Sequence, residues 1–192
     1  MEHFCLHTIK PTMKLSSEEY QRVLNFFKKM VQAEPTKWSY WCDIGFCYGK
    51  LGRWREAVTA FEQILDKDEA TASVLNMLGH AYIKLENYHE AAIILDRAHA
   101  MAPGNLSVLY KMAMIHFHRG EIEMALNPLQ QVILHKPQHL KAQYSLGLIY
   151  HRLNDRKAAD RQIAIVKALN QNFGEQLAEI VQGCRTIPPP FS

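Results

Sequence analysis

The chain has 192 residues, 48% of them hydrophobic and 21% charged, which is an ordinary composition for a folded soluble domain or a short repeat array. A net charge of +3 gives no concentrated basic stripe, so nucleic acid is not expected as a partner. Four cysteines, Cys5, Cys42, Cys47 and Cys184, form no CxxC pair and no zinc spacing. They read as reduced thiols in a cytoplasmic setting. An acidic N-terminus without an apolar h-region, and the lack of any 18-residue apolar run, predict no export signal and no membrane insertion.

Residues 1–15 contain Pro11 and no helical period, and are expected to form a partly ordered lead-in. Over 16–37, Ser16 is a suitable N-cap with Glu19 three residues on, and Leu15 and Tyr20 are spaced as a hydrophobic staple. Tyr20, Val23, Leu24, Phe27, Met30 and Val31 share one helix face, and the helix should end before Pro35.

From residue 38 onward a fixed period dominates. Gly45, Tyr48, Ala57 and Phe61 return as Gly79, Tyr82, Ala91 and Leu95, then as Ala113, His116, Ala125 and Leu129, then as Gly147, Tyr150, Ala159 and Ile163. Each offset is 34 residues, which implies stacked copies of one supersecondary unit over 38–71, 72–105, 106–139 and 140–173. Pro35, Pro103 and Pro137 keep the same register, with Glu69 in the intermediate place, so the N-terminal helix occupies the position of a half-repeat.

The eighth residue of each unit (Gly45, Gly79, Ala113, Gly147) and the twentieth (Ala57, Ala91, Ala125, Ala159) are small, which allows close helix approach. The seventh (Ile44, Leu78, Met112, Leu146) and the twenty-fourth (Phe61, Leu95, Leu129, Ile163) supply bulk around them. Gly52 and Gly120 stand where a helix C-terminus favours a left-handed residue. Trp54, at the turn of the first unit, is expected to pack between repeats.

This pattern resembles the tetratricopeptide repeat (TPR) over about 135 residues. The resemblance implies an all-α fold: a right-handed α-solenoid of helix-turn-helix TPR units with N- and C-terminal capping helices. Three positions depart from it. His116 replaces an aromatic residue, Gln171 replaces the last proline, and Pro128 stands inside the second helix of the third unit, where it should remove a hydrogen bond and bend the helix. Over 172–183, Asn172 with Glu175 is expected to cap a final helix whose stripe is Phe173, Leu177, Ile180 and Val181, ending at Gly183. The tail, 184–192, contains Pro188-Pro189-Pro190 and favours an extended conformation.

In the family, positions 2, 5, 9 and 12 of the first helices line a concave groove. The resemblance therefore implies a partner-binding groove at Phe46, Asn76, His80, Ile83, Tyr110, Met114, Phe117, Tyr144, Leu148 and His151. The apolar excess at Tyr110, Met114, Phe117, Tyr144 and Leu148 is not demanded by the helix-packing positions, and suggests anchor pockets for a partner segment. Position 13 supplies a basic rim of Lys50, Lys84, His118 and Arg152, suited to hydrophobic segments that also carry acids. The clamp for acidic chaperone tails is not reproduced, since its positions hold Cys42, Phe46, Met77, Ser107 and Lys111 in one window, and Asn76, His80, Lys111, Lys141 and Ser145 in the other.

Ten histidines invite a metal reading, but His135 and His139 flank the Pro137 turn, and His116 and His118 face different sides of a helix. No phosphate loop or nucleophile elbow is present, so neither catalysis, metal nor cofactor is expected. The sequence predicts a non-catalytic protein-interaction scaffold. A chaperone shielding a hydrophobic cargo and a homo-oligomeric scaffold are the alternatives.

Overall fold

The computed structural model describes residues 15–65 and 70–183. The lead-in, Glu69, Cys5, Cys184 and the Pro-rich tail lie outside the described residues. Among the described residues the chain is all-α: α1 (Ser17–Ala33), α2 (Ser39–Lys50), α3 (Trp54–Leu65), α4 (Ala72–Lys84), α5 (Tyr88–Met101), α6 (Leu106–His118), α7 (Ile122–His135), α8 (Leu140–Arg152), α9 (Arg156–Leu169) and α10 (Gln171–Val181). They form two compact units, residues up to Met101 with α1–α5 and residues from Ala102 with α6–α10.

In the first unit, α1 starts where its capping chemistry dictates. The Ser16 amide donates to Glu19 Oε2 at 2.6 Å and the Glu19 amide donates to Ser16 Oγ at 3.2 Å, satisfying two amides that helix geometry leaves unpaired. Leu24 and Phe27 carry the buried face, and the helix stops at Ala33 ahead of Pro35. Helices α2 and α3, then α4 and α5, form antiparallel pairs joined by tight turns. An ideal Cβ added to Gly45 would stand 2.6 Å from the Phe61 ring, and one on Gly79 would stand 2.6 Å from Leu95. The small and bulky positions of each of these pairs thus meet directly across the helix interface. Trp54 packs between repeats, its ring edge-on to His80 of α4 at 5.4 Å.

The interhelical turns repeat one conformation every 34 residues. Gly52 and Gly120 have φ of 72° and 76°, and the corresponding Glu86 and Asn154 have φ of 62° and 58°. Glycine adopts the left-handed region without steric cost, asparagine tolerates it, and glutamate at 86 bears the strain of its Cβ.

In the second unit α7 runs continuously through Pro128. Because proline has no amide hydrogen, the Met124 carbonyl lacks its usual helical donor. His116 answers its departure from the family pattern with a hydrogen-bonding contact to the next turn: Nδ1 lies 2.7 Å from Glu121 Oε2, while Arg119 holds the other oxygen at 2.9 Å. Buried Gln162 of α9 donates to Gln143 Oε1 of α8, and Gln143 Nε2 donates to the Pro137 carbonyl at 2.7 Å.

The last helix corrects two expectations. Its N-cap is Asn170, whose Oδ1 accepts from the Phe173 amide at 3.1 Å, not Asn172. Without a proline at 171, Asn170 ends α9 and starts α10 as one extended residue, and Asn172 falls inside the helix, accepting from Gln176. Gly147 meets Leu177 of this cap rather than Ile163, so α10 fills the space that the twenty-fourth position fills in the first two units. Leu177, Ile180 and Val181 are buried, and Gly183 follows with φ of 78°.

Candidate partner-binding groove

In the first unit the residues expected to line the groove fall on α2 and α4. Phe46 on α2 is half-buried, with its ring edge-on to Tyr20 of α1 at 6.3 Å and Lys50 Nζ 5.2 Å from its centroid. On α4, Asn76, His80 and Ile83 are half-buried along one face. Lys84 Nζ stands 5.8 Å from the Trp54 ring, so both lysines of this part of the rim are held against aromatic rings. Behind them Tyr82 donates to Glu62 at 2.6 Å; burial and this carboxylate push its phenol up.

In the second unit the residues expected to line the groove fall on α6 and α8. Arg152 packs its guanidinium 5.6 Å from the Phe117 centroid, and the His118 ring is edge-on to Phe117 at 6.2 Å. All four rim side chains therefore contact a ring. Tyr110 stacks at a tilt on His139, with centroids 5.4 Å apart. Its Oη is buried and lies outside hydrogen-bonding geometry to every described group. Burial pushes this phenol up, and the nearby Ser145 hydroxyl, which points at Met114 Sδ 3.7 Å away, only reduces the effect. Burial pushes the Lys111 ammonium down to about 8 while it donates to Ser107 Oγ at 2.7 Å.

The apolar excess has a different use from the one expected. Met114, Phe117, Tyr144 and Leu148 are only 3%, 7%, 3% and 0% exposed and belong to the core of this unit. The reading that packing leaves them spare is corrected: Met114 reaches Ser145 of α8, and Tyr144 meets the Phe173 edge of α10 at 6.0 Å. Half-buried Tyr110 and His151 remain reachable from solvent.

Neither His139 nor Phe173 was among the residues expected at the groove. His139 caps α8, its Nδ1 accepting from the Ala142 amide at 3.1 Å, and burial pushes its imidazole down, consistent with a neutral acceptor ring. The available signal was register, because Thr71 and Asn105 cap α4 and α6 at 34-residue steps before it. Among the described residues no three His, Cys, Asp or Glu side chains cluster as metal ligands, and no helix is long and apolar enough to cross a membrane.

The repeated pairs and their register define a class of helical-repeat protein, and comparison with known proteins names it. A family model described as "Tetratricopeptide repeat" matches residues 48–105, and one described as "Anaphase-promoting complex, cyclosome, subunit 3" matches residues 84–161. The chain is a tetratricopeptide-repeat protein, and its fold is that family's α-solenoid. It is 21% identical over 176 residues to Anaphase-promoting complex subunit 3 of Schizosaccharomyces pombe, covering 92% of this chain and 26% of that protein. It is 23% identical over 141 residues to Sperm-associated antigen 1 of Homo sapiens, covering 68% of this chain and 15% of that one. The chain thus spans about a quarter or less of the length of these relatives. Among solved structures it shares its fold with YrrB, described as a TPR protein with an unusual peptide-binding site, at 22% identity, TM-score 0.75, and coverage of 86% and 84%. MamA from Desulfovibrio magneticus RS-1 matches at 20% identity, TM-score 0.73, and coverage of 84% and 98%.

Proposed function

We propose that the chain is a non-catalytic protein-interaction scaffold whose inner helices hold an extended or helical segment of a partner, one that carries acidic as well as hydrophobic residues. The observation that carries this reading is the set of rim cations seated on rings: Lys50 on Phe46, Lys84 on Trp54 and Arg152 on Phe117. A ring fixes the alkyl stem and leaves the charge at the edge of the inner face, where it attracts a carboxylate at little further entropic cost. Asn76, His80, Ile83, Tyr110 and His151 supply the reachable contacts beside them, and buried Met114, Phe117, Tyr144 and Leu148 stiffen the helices beneath. The peptide-binding description of YrrB and the likeness to a subunit of a multi-protein complex support the same reading.

The test is capture of partners from the source extract by the full chain, repeated with Lys50→Glu, Lys84→Glu and Arg152→Glu combined. These side chains lie at the surface, so helical circular dichroism stays unchanged while recovery of the captured proteins drops at least about tenfold, the effect of losing roughly 1.4 kcal/mol. Undiminished capture by the folded variant refutes the groove reading.

A homo-oligomeric scaffold is the second reading, favoured by Met124 and Leu134 of α7, which are 59% and 77% exposed. Size-exclusion chromatography with light scattering that returned a strict monomer across the concentration range removes it.

A further inference from the structure

The first unit carries a second concavity away from the inner faces of α2 and α4. Helices α1 and α3 both pack on α2 but leave between them a cleft of about 420 Å³, within the range of small-ligand pockets. Its lining includes Ile44 and Ala60, each 2% exposed, together with the partly exposed faces of Val31 and Trp41. The space exists because α3 presents Thr59 and Ala60, two small side chains, where a larger one would fill it. The wall combines an indole and aliphatic carbons with the polar Gln32, Thr59 and Glu56, and its predominantly apolar surface suits a large apolar side chain.

The charge at its margin is one-sided. Glu56 lines the cleft, but Arg53 holds Oε1 of that carboxylate with Nη2 at 2.6 Å and Nε at 2.7 Å. Its own backbone amide and this guanidinium keep it below the usual carboxylate range, so its charge is already answered. Exposed Lys28 has no ion pair among the described residues; its Nζ stands 5.3 Å from the Tyr48 centroid, with the Arg53 guanidinium 4.8 Å from the same centroid. The Tyr48 ring therefore carries two cations beside the opening, of which only Arg53 has a carboxylate.

We propose that the cleft between α1 and α3 is a second protein-binding site, which takes one large apolar side chain of a partner segment while an adjacent carboxylate of that segment pairs with Lys28. The site is independent of the inner-helix groove. An aromatic side chain suits the volume and lining, and an acidic neighbour matches the unanswered cation.

The experiment uses the full isotope-labelled chain and two probes sharing one ring, 3-indolepropionate and 3-methylindole, titrated in two-dimensional NMR. Saturable shifts are expected at the Trp41 indole N–H and the Thr59 and Ala60 amides, with 3-indolepropionate binding several-fold more tightly. Lys28→Glu removes the advantage of the carboxylate and leaves 3-methylindole unaffected. Thr59→Trp, built at an exposed position, fills the cleft and abolishes the shifts from both probes in a chain of unchanged circular dichroism. The combined rim variant of Lys50, Lys84 and Arg152 binds both probes as the natural chain does, which separates this site from the groove. Absence of saturation at these signals up to about 10 mM, a bound typical of very weak fragments, overturns the proposal. So do shifts that survive Thr59→Trp, or shifts that appear at Phe46 and His80 instead, and equal binding of the two probes overturns the role of Lys28.

Discussion

Gly45→Ala and Gly49→Ala make the same chemical change four residues apart in α2, and packing gives them opposite signs. Alanine in a helix interior is favoured over glycine by about 1 kcal/mol, a gain common to both. At Gly49 the nearest foreign atom to the new Cβ is Trp54 Cζ3 at 3.4 Å, so the neighbour has only to give slightly and most of that gain survives. At Gly45 three atoms of the Phe61 ring lie at 2.6, 2.7 and 2.8 Å, and that ring is 2% exposed. The three atoms belong to one rigid plane, so relief requires moving the ring or the whole of α3, an overpacking cost of about 1–3 kcal/mol and toward the upper end here. Net, Gly49→Ala stabilises by about 0.5–1 kcal/mol and Gly45→Ala destabilises by about 1–2 kcal/mol. The gap of about 1.5–3 kcal/mol corresponds to roughly 3–12 °C in Tm for a chain of this size. Urea and thermal unfolding followed by far-ultraviolet circular dichroism measures it. Equal stability of the two variants refutes the argument that position 45 is small because of the ring it faces.

At the 34-residue turn register, Glu86→Gly places glycine at φ 62° and is expected to raise Tm by a few degrees, since a left-handed non-glycine residue costs about 1 kcal/mol; a fall in Tm counts against strain at this turn. Cys47 is fully buried, and burial first, then the Asp43 charge, push its thiol up to about 12. It should resist iodoacetamide at pH 8 in the folded chain and react on unfolding, as peptide mass spectrometry reads. Because the raised pKa belongs to the folded state, the stability tied to this thiol is complete below its unfolded value near 9 and is lost as pH climbs toward 12; Cys47→Ala should flatten that part of the profile.

The sequence by itself determined what depends on local and nearest-neighbour geometry. The Ser16 capping box, the left-handed turns at Gly52 and Gly120, the stop before Pro35 and the pairing of Gly45 with Phe61 and of Gly79 with Leu95 each involve residues close in the chain or repeated in register, where periodicity records the contact directly. Register also held the cap at His139, though nothing in an imidazole distinguishes a capping acceptor from a surface side chain before the chain is folded. Only the tertiary structure decided what covers a face. Met114, Phe117, Tyr144 and Leu148 stand at positions the resemblance turns toward a groove, yet contacts among α6, α8 and α10 bury them. Likewise, Asn170 rather than Asn172 caps α10, and Leu177 rather than Ile163 meets Gly147. The cleft between α1 and α3 arises from the spacing of two helices that do not adjoin in sequence. Periodicity states which side chains share a helix face; whether that face meets solvent, a partner or another helix is fixed by how the helices pack, and no repeat length encodes it.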